Sequence, residues 1–566
     1  MRLAVRLLSR LCLLAAALAI LAVAPGPAMA SHNQVAILQD DLQLYDNPDS
    51  TLQELRHLGV QMVRVYVRWS FVAPNPNSHR VPRFNASDPN AYPARNWAPL
   101  DAIVRGAAER GIQVMLVPTG FAPLWAQGQN PGHYGGKYDS YFAWEPSASR
   151  FGAFVHAVGT RYSGSFEPPG ATLPLPRVAV WEIYNEPNFG EDLAPQAIDG
   201  STVLHAPSMY RALADATWKA LADTGHRQDT ILIGSLAAAG AQLKAGPGRP
   251  QGLPGTYGET KPLSFVRELY CLDPHYVRYT GAAASVRGCP TSRAAYRSFR
   301  AQHPVLFNAS GFSDHPYVLD KGRPPTQGSS SDPNYAQFNQ LGRFAATLDR
   351  IQRIYGTGKR FPIWNTEYGY ITCPPNCRHG YPSPSTAAYY LNWAEYLSWR
   401  NPRLVSTMQY LLVDPNPYVG SPEPGGFASG LMFYPTFHHG AAKPTLGAYE
   451  LPVFLPSVRA GRGHALQVWG DVRPAPYAVA DGDGPQSAEV QFAPRSGGAW
   501  TTIKTVSLTS ARGYFLTSVS LPSSGSVRIV WDYPPLDPLL DPPGAQAAAS
   551  SASSAATSRT VSVTIT

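Results

Sequence analysis

Residues 181–188 read WEIYNEPN and residues 361–369 read FPIWNTEYG. In both, an apolar run rich in β-branched and aromatic residues stops on polar groups that include a glutamate, Glu186 in the first and Glu367 in the second. Pro187 cannot continue a strand ladder and restricts Glu186 to an extended conformation. Each run therefore presents a carboxyl group at a strand end. Two such groups brought into one cleft suit hydrolysis of a glycosidic bond. One protonates the leaving oxygen while the other attacks the anomeric carbon or activates water. Their surroundings must differ: the acid needs a raised pKa, from a charged neighbour and partial burial, and the nucleophile needs donors that hold it ionised.

Supporting groups lie in other runs. Arg64 sits inside the apolar stretch 61–67, where its charge is costly unless paired. A carboxylate in the cleft would pair it, and a structural ion pair is the ordinary alternative. Asn185 precedes Glu186 and can serve a ligand or cap the turn. His315 and Tyr317 end the run 312–317 next in order to the one bearing Glu367, which places Tyr317 to donate to that carboxylate. His315 fits either the cleft or a satisfied place in the core.

These residues need a scaffold that collects strand ends. Apolar runs at 35–38, 61–67, 113–118, 178–184, 230–236, 312–317, 361–369 and 405–412 read as strands. Helical patterns lie between most of them, as at 100–111, 208–224, 335–355 and 387–400. Eight strand–helix units predict a parallel (β/α)8 barrel over residues 31–452, with its working groups at the C-terminal ends of the strands. A doubly wound sheet would need a glycine turn after the first strand, and 37–45 has no glycine. Extra length falls after strands at 70–97, 121–146 and 237–304. The third segment holds Cys271 and Cys289 and reads as a stapled excursion over or beside the cleft. After 452 the pattern turns to short alternating strands, which predicts a β-sandwich over 453–566 with a Pro/Ala/Ser-rich, disordered loop at 534–556 and a last strand at 560–566.

On these motifs the chain resembles the clan of retaining glycoside hydrolases built on (β/α)8 barrels. That clan carries Asn-Glu-Pro after strand four and a second glutamate after strand seven. WEIYNEPN and IWNTEYG are most similar to family 39, with families 5 and 42 as relatives. The resemblance spans most of 33–450. It implies Glu186 as acid/base, Glu367 as nucleophile, Asn185 as the contact to a sugar 2-hydroxyl, and supporting roles for Arg64 and Tyr317. It also implies a β-linked carbohydrate substrate. One departure stands out. Many members end strand eight with a tryptophan under the sugar, whereas this chain reads STMQYLLVDP, so that Tyr410, Gln409 or Asp414 takes the place. Trp69 and Tyr410 are placed with the substrate contacts. Trp125 and Trp144 fall near the predicted mouth, where an indole can stack on a sugar or simply pack. Trp364 belongs to the core. Asp40 and Asp41, after strand one, can bind a terminal sugar or cap a loop. A transglycosylase of the same fold and a non-catalytic carbohydrate-binding protein are the rival readings.

Composition and targeting agree with export. Arg2, Arg6 and Arg10 precede an apolar run at 11–23 and a small-x-small site at 28–30, which predicts a signal peptide over 1–30 and no stable membrane span after its removal. The formal +8 then falls to about +5, with the basic residues scattered, so no nucleic-acid partner is expected. Four cysteines remain, Cys271, Cys289, Cys373 and Cys377, an even number that suggests disulfides. Four cysteines allow three pairings, and proximity favours Cys271–Cys289 and Cys373–Cys377. No cluster has metal-ligand spacing, so neither metal nor other cofactor is expected. Oligomeric state is not readable from the chain.

Overall fold

A computed structural model describes residues 31, 33–129, 143–198, 201, 203–240, 258–318, 322–418, 426–534 and 555–566. The expected signal peptide therefore lies outside the described residues. Among those described, no helix is long and apolar enough to cross a membrane.

Eight strands form the barrel: β1 (Val35–Gln39), β2 (Met62–Arg68), β3 (Gln113–Thr119), β4 (Val180–Glu182), β5 (Thr230–Ala237), β6 (Gly311–His315), β7 (Ile363–Asn365) and β8 (Ser406–Tyr410). They pair in parallel and in chain order from β1 to β7, with β8 on the free edge of β1. Ile363 donates to Arg403 O at 2.7 Å and accepts from Val405 N at 3.1 Å, which closes β7 onto β8. The strands are largely buried on both faces because one face lines the barrel and the other meets helices. All five residues of β1 and six of the seven in β2 are buried.

A helix follows each strand, namely Pro48–His57, Ala94–Glu109, Ala148–Arg161, Ala206–Asp223, Pro262–Leu269, Leu341–Ile354, Pro384–Trp399 and Pro444–Glu450. Each returns the chain from the strands' C-terminal face to their N-terminal face. This direction overturns the expected place of the first disulfide. Cys271 follows the helix Pro262–Leu269, so its bond to Cys289 lies at the N-terminal face, opposite the carboxylates. There Tyr270 packs with Tyr355, which ends the neighbouring helix Leu341–Ile354, and Arg278 donates to Ile354 O. The second bond, Cys373–Cys377, closes a small loop after β7 on the cleft side. Both pairings are those favoured by proximity.

Beyond Pro452 lie β9 (Val453–Phe454), β10 (Arg459–Ala460), β11 (Ala465–Asp471), β12 (Ser487–Pro494), β13 (Thr501–Ser507), β14 (Tyr514–Ser520), β15 (Gly525–Asp532), β16 (Ala555–Thr557) and β17 (Val561–Ile565). They form a six-stranded sheet and a three-stranded sheet, β14-β11-β9, antiparallel except for the pair β10–β17. Two details depart from the sequence reading. Ala555 and Ala556, expected in the loop, pair with β15. A helix, Ala475–Asp481, stands between β11 and β12 and stops at Gly482, whose φ of 103° needs a residue without Cβ.

Candidate active site

Glu186 reaches the cleft by a turn rather than by a continuing strand. β4 ends at Glu182; Tyr184 and Glu186 have φ of 68° and 35°. The extended conformation expected for Glu186 is thus replaced by a left-handed one. Neighbouring groups hold it: Asn185 N donates to Thr119 Oγ1 at 3.0 Å, and Phe189 N donates to Glu186 O at 2.8 Å. Positive φ at a non-glycine residue costs on the order of 1–3 kcal/mol and persists where the surroundings over-determine it. Here the turn brings a carboxyl group, 18% exposed, to the lining of the cleft.

Glu367, two residues past β7, is more deeply set. Its Oε1 accepts from Arg64 Nη1 and from the Tyr66 hydroxyl, both at 2.6 Å, and its Oε2 accepts from the Tyr317 hydroxyl at 3.3 Å. Burial alone would push this carboxyl up, but His315, Arg64 and the Tyr66 hydrogen bond outweigh it and hold the group below its ordinary value. Arg64, fully buried, uses all five donors: Nε on Glu182, Nη1 on Gln39 and Glu367, Nη2 on Asn185 and Ser235. It touches the carboxylate and not the cavity, so its part is positioning.

His315 joins the two glutamates. Its Nδ1 lies 2.8 Å from Glu186 Oε1 and 3.7 Å from Glu367 Oε2. Its Nε2 lies 3.1 Å from Ser235 Oγ, which already accepts from Arg64. A carboxylate oxygen only accepts, so the ring proton faces Glu186 from Nδ1, which leaves Nε2 to accept from the serine hydroxyl in the neutral ring or to donate to it in the cation. In that neutral form, and as the cation, the ring donates to Glu186. A chain Arg64–Ser235–His315–Glu186 thus orients the second glutamate from the arginine that holds the first. Like Arg64, His315 is buried beneath the cavity and positions the glutamates instead of meeting a ligand.

Both glutamates line a cleft of about 650 Å³, together with Asn185, Tyr317, Tyr410 and Phe427. Asp192, Glu191 and Glu259 line it on the side of Glu186. Burial, then the charge of Glu186, pushes Asp192 well up; burial, then Glu186 and Glu191, pushes Glu259 up to about 7. This side of the cleft therefore does not carry its full negative charge near neutrality.

Several expected residues lie elsewhere. Trp69 is not a substrate contact. It is buried on the outer face, edge-on to Trp125 and Phe151 and stacked on Phe154, because the short helix Trp69–Val72 turns it away from the barrel mouth. Trp125 packs with it and donates to Pro74 O. Trp144 packs with Ala143 and Ala194, and Trp364 faces the barrel's outside beside Gly311. Gln409 donates to Ser429 O, and Asp414 is paired with buried Lys443 at 2.7 Å, which leaves Tyr410 as the strand-eight residue in the cleft. Asp40 accepts from Gln43, Leu412 and Val413 N, a capping role.

Sequence reasoning missed Glu182, the buried counter-ion of Arg64, and Tyr66. Both were findable. Glu182 is a lone charge in an apolar strand, as Arg64 is, and Tyr66 lies two residues from Arg64, hence on the same face.

Glu186, His315 and Glu367 also offer three ligand atoms within 4.8 Å of one another, close enough to share a metal ion. The donor set fits poorly. Arg64 and two tyrosine hydroxyls already occupy the Glu367 oxygens, and a cation there would face the guanidinium.

No protein-family model and no curated protein matches the chain. Solved structures similar to it include a glucosidase from Croceicoccus marinus, with TM-score 0.43 and 12% identity over 88% of this chain and 94% of that one. An endo-beta-1,4-mannanase from Thermotoga petrophila aligns with TM-score 0.37 and 10% identity over 96% and 99%. A family 1 β-glucosidase from Thermotoga maritima aligns with TM-score 0.39 and 13% identity over 72% and 84%. At such distances the residues of the site itself have to carry a functional reading.

Proposed function

We propose that this chain is an exported retaining glycoside hydrolase that cleaves β-linked oligo- or polysaccharides by double displacement. The observation that carries the reading is the unlike setting of two adjacent carboxyl groups. Glu367 is buried and held ionised by an arginine and two tyrosines; Glu186 stands at the cleft surface on a histidine donor. Glu367 attacks the anomeric carbon while Glu186 protonates the leaving oxygen, and Glu186 then takes a proton from the water that releases the sugar. Oxygens of the two approach within 4.8 Å. Single oxygens this close favour the shorter separation between carboxyl groups, about 5–5.5 Å in retaining pairs, over the about 6.5–9.5 Å that inverting pairs keep for a water. Asn185, with Oδ1 on Arg64, is the contact to a sugar hydroxyl, and Tyr317 and Tyr410 line the same subsite. Kinship nearest to family 39 rests on WEIYNEPN and IWNTEYG. Residues 1–30 are the signal, 31–452 the catalytic unit and 453–566 an accessory unit.

The test is hydrolysis of an aryl β-glycoside panel by residues 31–566 and by Glu367→Ala and Glu186→Ala. We expect the first-formed sugar to be the β-anomer by proton NMR. Glu367→Ala should be inactive until azide restores turnover with an inverted glycosyl azide product. An α-anomer formed first, or activity that survives Glu367→Ala, would overturn the assignment.

A further inference from the structure

The cleft does not end at the two glutamates. A second lobe, also of about 650 Å³, opens at the ends of β8, β1 and β2 and shares Tyr66, Arg68, Tyr410 and Phe427 with the first. Neither Glu186 nor Glu367 lines it. If Glu186 delivers a proton to the leaving oxygen, as proposed above, the leaving group departs on the Glu186 side. The glycone then points the other way, past Tyr410 and Tyr66 and into the second lobe.

The lobe is furnished for a sugar. Phe71 stands at it on the helix Trp69–Val72 and is 64% exposed. An exposed phenyl ring on a concave surface presents an apolar face to the C–H face of a pyranose. Tyr45, its hydroxyl donating to Tyr66 O at 2.7 Å, makes a fixed wall. Polar groups converge on the same space. The Arg68 guanidinium lies between the rings of Tyr66, Phe71 and Phe121, 5.4–5.6 Å from each, and among the described residues its side chain has no hydrogen bond or close ion pair, although its charge acts on Asp41 and Asp192. Asn96 gives its Nδ2 to Val72 O and keeps its Oδ1, and the exposed Asp46 carboxylate lies on the same lobe. An aromatic face with unspent donors and acceptors is what a neutral sugar ring with several hydroxyls requires.

We infer that this second lobe binds the glycone-side residues of an oligosaccharide, so that the enzyme cuts at least one residue inward from the non-reducing end. The inference rests on the hydrolase reading. Matched aryl glycosides test it: β-glucoside against β-cellobioside, β-xyloside against β-xylobioside, and β-mannoside against β-mannobioside. On the accepted sugar, kcat/KM should be about tenfold higher for the disaccharide, equivalent to about 1.4 kcal/mol of added transition-state binding. Phe71→Ala should abolish that gain and leave the monosaccharide glycoside unaffected; the exposed ring makes loss of folding no concern. Asp46→Ala should reduce the gain in part. Equal efficiency on the two members of a pair, or an equal loss on both in Phe71→Ala, would sink the lobe alone. No turnover of any pair, together with none on the wider aryl β-glycoside panel, would sink the hydrolase reading, and the lobe with it.

Discussion

Arg64 is where the site's chemistry and its stability meet. A guanidinium with five fixed N–H donors satisfies Glu182, Glu367, Gln39, Asn185 and Ser235 at once. A lysine carries three donors on a point charge and cannot reproduce that fork. Arg64→Lys is therefore expected to lower kcat/KM by about 100-fold or more. The sign of its pH effect follows from Glu367. That carboxyl is held below its ordinary value against burial by His315, Arg64 and Tyr66, and the proposed reaction needs it ionised. Weakening one of those partners raises its pKa, so the acidic limb of the kcat/KM profile should move to higher pH. Stability has the same origin. A depressed carboxyl contributes stability above its unfolded pKa and loses it as pH falls through the folded value. The variant should be less stable at neutral pH yet lose less on acidification. An unshifted acidic limb would remove Arg64 from the control of Glu367.

At the scale of elements, the eight strands were legible because most of their residues are buried and their runs are rich in β-branched and aromatic side chains, with single polar residues such as Arg64 and Glu182 set among them. Their lengths were not. The runs 178–184 and 361–369 yield three-residue strands, because the chain leaves the ladder early to present Glu186 and Glu367. Glu186 itself was legible by type and position, but its left-handed backbone depends on Thr119 of another strand, a contact no local pattern contains. Trp69 failed for a related reason: a single turn of helix after β2 decides whether an indole faces sugar or core. The Cys271–Cys289 pair is legible from proximity but its location is not, because the helix Pro262–Leu269, inside the stretch 237–304, carries the chain to the far face. That location is testable. The bond closes a loop of 18 residues, so removing it costs about 3 kcal/mol by the entropy of the unfolded chain. A Cys271→Ala/Cys289→Ala double variant should melt at lower temperature with kcat/KM unchanged. A loss of activity at temperatures where it remains folded would return the staple to the cleft.

For the whole molecule, the terminal β-rich unit was visible in its alternating strands, but its docking was not, because the groups that make it are hundreds of residues apart. Glu395, on the barrel helix Pro384–Trp399, accepts two hydrogen bonds from Arg473 Nη2, at 2.9 and 2.8 Å, and one from the Tyr514 hydroxyl at 3.2 Å. Arg473 also donates to Tyr449 O at 2.7 Å and lies 3.5 Å from Asp471. Around this core of charge, Tyr396 and Trp399 of the barrel pack with Phe454, Trp469 and Tyr514. Gly59 allows the close approach: its φ is 76°, and a Cβ there would lie 2.3 Å from the Arg473 carbonyl carbon. Arg473 is buried between Glu395 and Asp471, so removing it leaves two buried carboxylates without their cation, at a cost of about 3–5 kcal/mol. The two units should therefore unfold as one. Differential scanning calorimetry is expected to give a single endotherm for residues 31–566. Arg473→Ala should lower it and separate it into two, because the stranded Glu395 penalises the docked state and leaves each unit intact. Two well-separated endotherms in the parent, unmoved by Arg473→Ala, would mean that this buried pair fastens the units together without coupling their stability.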